Sequence, residues 1–305
     1  MTASNDLKFI IRKNKLFNFL FYIAGCVSLL VVLLTLFSLI IDLFVDGSAR
    51  ISSHFLTSFP SRFPEKAGML SAWVGTFAVM VVTGLAAIPV GVASGLYLEE
   101  YAPKNWCTAL IEINITNLAG VPSIVFGLMA LGLFVYRFGF GQSILTAGLT
   151  LALLILPIII VATREAIRSI PQSIREAAFA LGATRWRVVR DHILPYSTGG
   201  IMTGIIIGLS RAIGETAPLI TIGALTFIAF LPHSPITGSF PYVSGQWLFD
   251  PFTVIPIQLF NWISRPQKEF HLNAAAAGIM LLGMTLLMNL VAIFVRYHFR
   301  KRIKW

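Results

Sequence analysis

The sequence predicts an all-α polytopic membrane protein, and three observations carry that reading. Of 305 residues, 56% are hydrophobic and only 12% charged, with a mean hydropathy of +0.81, a balance no water-soluble domain needs. Long charge-free stretches recur, each near the ~20 residues with which a helix crosses a ~30 Å hydrocarbon layer. Those stretches alternate weakly and carry repeated Gly and Pro, unlike the strands of about 9–11 residues from which a β-barrel is built.

The charge-free stretches run over 16–41, 67–98, 113–136, 138–163, 192–210 (continuing through Arg211 and Glu215 to about 231) and 270–295, which predicts six transmembrane helices. The first is too long for a signal-peptide core and has no convincing small-residue cleavage site, so it reads as a span. The second exceeds one straight span, which assigns part of 67–72 to the membrane interface. Along the fifth, Gly200, Gly204, Gly208 and Ala212 repeat every four residues, a small-residue stripe suited to close packing against a neighbouring helix.

Lys and Arg between the spans set the orientation. Sixteen cations fall on the side of the termini, including Arg164, Arg168, Arg175, Arg185, Arg187 and Arg190, against six on the opposite side. Both termini are therefore expected in the cytoplasm. One domain is expected: a cytoplasmic segment over 1–16, a membrane domain over 17–298 and a basic tail over 299–305. Two connections are long, a cytoplasmic one near 164–195 and an external one near 232–270. In the external one, PFTVIPIQLFNWI reads as a short helix lying at the outer interface. The net charge of +10 thus has a membrane explanation, and no nucleic-acid partner is implied.

SRAIGETAP (210–218) sets Arg211 and Glu215 inside an apolar span, where an unpaired charge is costly. Four residues apart, they share a helical face, and Pro218 is expected to kink the helix just beyond them. At ~1.5 Å per residue, Arg211 lies ~22 Å past Tyr196, near the midplane if the helix begins inside the cytoplasm. Arg211 offers a permanent charge and a fork of donors to a tetrahedral oxyanion, and Glu215 keeps that anion from binding too tightly. The alternative is an ion pair that braces the helix. Asn117, Pro122 and Ser123 are further path candidates, with polar packing as the competing reading. Arg164 and Arg168 attract an exiting anion or simply follow the positive-inside bias.

The cytoplasmic segment IPQSIREAAFALGATRWRVVRDHILP places Ile174, Ala177, Ala178 and Leu181 at helical spacing. Gly182 is expected to end that helix in a left-handed conformation, and Thr184 to cap a second one. Two short helices with small residues on one face suit a groove on a soluble partner; an Arg-rich helix resting on anionic lipid is the alternative.

Enzyme readings find little support. There is no Gly-Lys pair for a phosphate-cradling loop, no H-E-x-x-H, and the five histidines are scattered, so neither a catalytic nor a metal site is expected. Cys26 falls in the first span and Cys107 in a cytoplasmic loop, and no disulfide is implied.

The segment EAA, with Gly182 and Leu194-Pro195 following, resembles the coupling loop of ABC-importer permeases, with His192 where that family has Ile and Ile193 next. PVGVASGLYLEEYAP, LAGVPSIVFGL, SRAIGETAPL and FTVIPIQLFNWISRP are similar to the phosphate transport system permeases, over roughly 70–300. The resemblance implies the type I ABC importer permease fold and an alternating-access phosphate importer of the bacterial inner membrane. It implies that Glu176, Ala177, Ala178, Gly182, Leu194 and Pro195 couple to the ATPase. The implied partners are a second homologous permease, two cytoplasmic ATPase subunits that bind ATP and Mg, and an external phosphate-binding protein; this chain itself is expected to hold no cofactor. Competing readings are an importer of phosphonate, sulfate or molybdate, and a non-transporting membrane scaffold.

Overall fold

The computed structural model describes residues 2–236, 242 and 244–301. Its α-helices are, in chain order, α1 (Thr2–Gly47), α2 (Ser53–Thr57), α3 (Leu70–Leu96), α4 (Trp106–Leu118), α5 (Ser123–Ala130), α6 (Ile144–Arg168), α7 (Gln172–Ala180), α8 (Arg185–Val188), α9 (Leu194–Gly214), α10 (Ala217–Thr221), α11 (Ile255–Ile263) and α12 (Lys268–Lys301). π-helical turns continue α3 to Tyr101 and α5 to Arg137, and join α8 to α9 through Val189–Ile193. The last of these precedes Pro195, whose missing N–H leaves the Asp191 carbonyl without its helical donor.

Among the described residues, five helical runs are long and apolar enough to span a membrane alone: 13–50, 70–101, 144–168, 185–214 and 268–298. The sixth expected span is not a straight helix. α4 and the run from α5 to Arg137 pass the same test together but are bent by 106°. Pro122 has no N–H for the Leu118 carbonyl, and the chain turns instead through Gly120 N–H to Asn117 O and Val121 N–H to Leu118 O.

The core lies where α3, α6 and α9 touch along small residues. Gly91 meets Ile159, Gly95 meets Thr163, and Gly148 meets Val82, each too close to admit a Cβ without displacement. The stripe on α9 packs on α6 as expected: a Cβ on Gly200 or Gly204 would overlap the Cβ of Ala166 or Ala162. Leu151, Ile155 and Ile159 of α6 are fully buried at this seam. α12 flanks α9, and α1 meets α12 at its C-terminal end, where Gly47 abuts Ala275–Ala276 and Leu43 lies against Gly278. Most of α1 is otherwise exposed apolar surface, consistent with lipid contact.

A second core caps the end opposite the arginine-rich one, formed by Phe55, Met69, Ile255, Trp262 and Phe270. It takes in two segments expected at the interface. Residues 67–69, just before α3, are buried in it. PFTVIPIQLFNWI turns into the bundle: Asp250 O accepts from Ile144 N–H, Phe252 O from Leu225 N–H, and Ile255 N–H donates to Thr76 Oγ1 at 2.9 Å. Gly75 lets the Thr253 carbonyl approach α3, and Ile255, Pro256, Ile257, Gln258 and Trp262 of α11 are buried. The run 252–258 gains by burial on both faces, while Phe260 and Ile263 at the other end of α11 stay exposed.

The expected segment 1–16 begins α1 without a break from residue 2. Of the expected loop 232–270, residues 237–241 and 243 lie outside the described residues, as do 302–305 of the expected basic tail.

Candidate functional site

Arg211 occupies the last turn of α9, and the helix stops three residues later. Continuing it would ask Pro218, which has no N–H, to bond the Gly214 carbonyl. The chain instead extends at Glu215 (φ −76°, ψ 125°), and Pro218 sits in the first turn of α10. The helix does not run on to about 231; it stops at the pair itself, and the chain resumes as α10 at Ala217. The expected pair nonetheless forms, across the helix end rather than along one face: Arg211 Nε lies 3.3 Å from Glu215 Oε1.

Depth follows from packing. Gly208 lies against Ile155 and Ile159, so Arg211 stands level with the middle of α6. The Arg211 side chain is 41% exposed and Glu215 19%, so the carboxylate leans inward and the guanidinium outward. Among the described residues, the two Nη groups of Arg211 bond no protein group. One residue earlier, Ser210 donates to Asn289 Oδ1 at 2.6 Å, and two turns towards the arginine-rich end Arg296 Nη1 donates to Thr203 Oγ1 at 3.0 Å. Both bonds tie α9 to α12.

The break in α4–α5 packs near the break in α9–α10. Gly127 is so close to Pro218 and Thr221 that a Cβ would overlap both. Ser123, half-buried in the first turn of α5, lies four residues before that contact, as Glu215 lies three before Pro218. Asn117 belongs elsewhere. Exposed in the last turn of α4, it lines a cavity of about 450 Å³ with Glu112, Thr116, Arg164 and Arg168. The structure therefore puts Asn117 at the arginine-rich end, while Ser123 begins the helix whose Gly127 meets Pro218 and Thr221.

At that end Arg164 and Arg168 pair with carboxylates. Arg164 Nη2 lies 2.7 Å from Glu112 Oε1, with its Nε 3.5 Å from Glu99 Oε2. Arg168 pairs with Glu99 at 3.1 Å and Glu165 at 3.4 Å. Both are paired within the chain, which favours the positive-inside alternative over the exiting-anion one. Sequence reasoning missed Glu99, Glu100 and Glu112, whose one signal was an acidic cluster on the cation-rich side. It also missed Asn289 and Arg296.

The helical hairpin after α6 folds as its caps dictate. Gly182 at φ +79° closes α7, with Gly182 N–H bonded to Phe179 O and Ala183 N–H to Ala178 O. Thr184 accepts from Arg187 N–H at the start of α8. Ala178 points inward, onto Ile167, Val189 and Ile193. Glu176, Ala177 and Phe179 are exposed, Leu181 is 89% exposed, and Trp186 of α8 is exposed as well. Ile193, not His192, is fully buried and heads the stripe Ile193, Ser197, Ile201, Ile205 along α9. Leu194 and Pro195 are half-buried beside it.

A model of the family described as binding-protein-dependent transport system inner membrane component matches residues 87–305. The probable ABC transporter permease protein YqgI of Bacillus subtilis (strain 168) is 32% identical over 266 residues, 86% of this chain and 87% of the relative. The phosphate transport system permease protein PstA of Yersinia pestis is 32% identical over 283 residues, 88% of each chain. That of Haemophilus influenzae (strain ATCC 51907 / DSM 11121 / KW20 / Rd) is 31% identical over 308 residues, covering 99% and 100%. Among solved structures, a bacterial alginate ABC transporter superposes with a TM-score of 0.66 at 16% identity, over 93% of this chain and 96% of that one. The inward-facing MetNI methionine ABC transporter gives 0.56 at 17% identity, over 74% and 93%. The shared architecture is the type I ABC importer permease fold.

Proposed function

The chain belongs to the family of binding-protein-dependent transport system inner membrane components, and from that premise we propose that it is the transmembrane subunit of an ATP-driven phosphate importer. The observation that carries the reading is Arg211: a cation midway along the bundle, at a break between helices, with two donor groups left over from its pairing. Irregular backbone at such depth is tolerated where it is covered by protein or lines a water-filled path. A guanidinium there exchanges Glu215 for a phosphate oxygen, and the carboxylate recovers it when the anion leaves. Ser123 is a second contact at that level, and Asn117 acts nearer the inner mouth.

The arginine-rich end, with both termini, lies in the cytoplasm under the positive-inside bias. There α7 and α8 present Glu176, Ala177 and Leu181 to one of two ATPase subunits, which bind ATP and Mg. Ala178, Gly182, Leu194 and Pro195 hold that surface in place. A homologous permease completes the path, and an external binding protein delivers phosphate. ATP hydrolysis then exposes the Arg211 site alternately to the two sides. Support for phosphate comes from the named relatives, since a guanidinium alone does not separate tetrahedral oxyanions.

Reconstitution tests the reading. Complexes of this chain with the products of neighbouring permease, ATPase and binding-protein genes, placed in ATP-loaded proteoliposomes, are expected to accumulate labelled phosphate. Sulfate, molybdate and phosphonate in excess should leave that uptake unchanged. Uptake of one of those anions in place of phosphate would reassign the substrate, and ATP-independent or absent uptake would refute transport.

A further inference from the structure

The end of α3 carries two adjacent carboxylates, and the fold sends them to different elements. Glu100 receives Arg175 of α7, whose Nε and Nη2 donate to Oε1 at 3.0 and 2.7 Å. The same guanidinium donates from Nη1 to Ile170 O at 2.8 Å and from Nη2 to Ile167 O at 3.1 Å, at the end of α6. Both side chains are almost closed to solvent, at 12% and 10% exposure. Glu99 faces the other way, to Arg164 and Arg168, and Arg164 continues to Glu112 on α4.

We propose that the Arg175–Glu100 pair is the strut that delivers movement of α7 to α3, and through Glu99, Arg164 and Glu112 to α4. It rests on the reading of α7 as the ATPase-docking helix and adds the route by which docking reaches the membrane. A guanidinium that grips a carboxylate and two helix-end carbonyls has one geometry, so α7 cannot shift without moving α3. Apolar contact supports the joint: Leu96 and Tyr101 of the α3 end pack on the Ile167–Ile193 cluster, and Arg185 of α8 lies 5.8 Å from the Tyr101 ring. At the far side of the relay, α4 buries no side chain, so Glu112–Arg164 is its main polar hold on the bundle. Arg164 reaches Glu99 and Glu112 together, which lets one contact loosen as the other tightens. α4 leads directly into the bent turn before Ser123, so its movement arrives at the Arg211 break.

The test measures phosphate moved per ATP hydrolysed in proteoliposomes, with complex recovery and ATPase stimulation by the binding protein as separate readouts. Glu100→Gln keeps the shape and removes the charge; Arg175→Lys keeps the charge and loses the fork. For Arg175→Lys we expect normal recovery and ATP hydrolysis, with transport per ATP falling by roughly tenfold. Glu100→Gln leaves a nearly closed guanidinium without its carboxylate, so we expect lower recovery and the same fall per ATP in the complex that assembles. A variant complex with parental coupling would overturn the strut. Where Glu100→Gln is not recovered, Arg175→Lys decides by the same ratio, and failure of both to assemble would make the pair a brace and also overturn it. A parental complex that hydrolyses ATP without moving phosphate would instead refute the transport reading, so the two failures are distinct.

Discussion

Arg211 and Glu215 meet across the end of a helix, not along it: the last turn of α9 supplies the cation and the extended residue after it the carboxylate, 3.3 Å apart. A brace and a site predict different behaviour for single variants. Removing one partner of a fully buried pair costs about 3–5 kcal/mol, whereas exposed pairs contribute roughly 0–1 kcal/mol. Within this chain Arg211 is 41% exposed, so under the site reading changing either partner leaves no fully buried charge in the subunit's own core. Arg211→Gln should therefore assemble and abolish phosphate uptake, and Glu215→Gln should assemble with slowed turnover as the anion is held too long. Uptake and complex recovery measured in the same membranes check this. Full uptake by Arg211→Gln would remove the residue from the path.

The α9–α6 seam makes an opposite prediction. Gly204 has no room for a Cβ against Ala162, whereas Gly199 has nothing near it. Gly204→Val should force the helices apart at a cost of at least about 1–3 kcal/mol and lower the thermal midpoint of the purified subunit. Gly199→Ala should leave it unchanged or slightly raised. Equal midpoints for the two would mean that the stripe does not set the helix spacing.

Much of this fold was legible because it depends on local pattern. Charge-free length marks the spans, Gly182 and Thr184 mark the helical hairpin, and the four-residue stripe marks the α9–α6 contact; each is a property of one segment read alone. The breaks were harder. Pro122 and Pro218 signal a lost N–H, but whether a helix bends, kinks or stops depends on what receives the freed carbonyls. Gly127 packed on Pro218 and Thr221 is a tertiary fact. Burial of FTVIPIQ depends likewise on the cleft that Gly75 leaves on a distant helix. At the site, Arg211 and Glu215 were readable because charges in an apolar run stand out. Glu99, Glu100 and Glu112 were not, because carboxylates in a polar loop look solvated until the arginines that claim them are placed.

Orientation can be checked directly. With Cys26 and Cys107 replaced by Ser, a single cysteine at Gln246 should react with an impermeant maleimide on intact cells. One at the exposed Glu176 should react only after permeabilisation. The sixteen-to-six division of cations underlies the expectation. The reverse labelling would exchange the two ends and move the docking surface outside.

The docking surface gives the last prediction. α7 turns Ala178 inward and leaves Ala177 and Leu181, one turn apart, exposed. An 89% exposed leucine has no role in the subunit's own core, so Leu181→Asp should leave insertion and thermal stability within about 0.5 kcal/mol of the parent. The same change places a charge in an apolar contact, so ATPase subunits should be lost during purification and uptake should fall with them. Glu176→Lys should act in the same sense through reversed charge. Gly182→Trp works differently, because φ +79° costs a side-chain-bearing residue about 1–2 kcal/mol and tilts α7 against α8. Quantifying ATPase subunits retained per permease separates the cases: Leu181→Asp and Glu176→Lys should lose them at parental stability, and Gly182→Trp only with some loss of stability. Parental retention in all three would leave this helical hairpin as a lipid-facing element and take it out of the coupling mechanism.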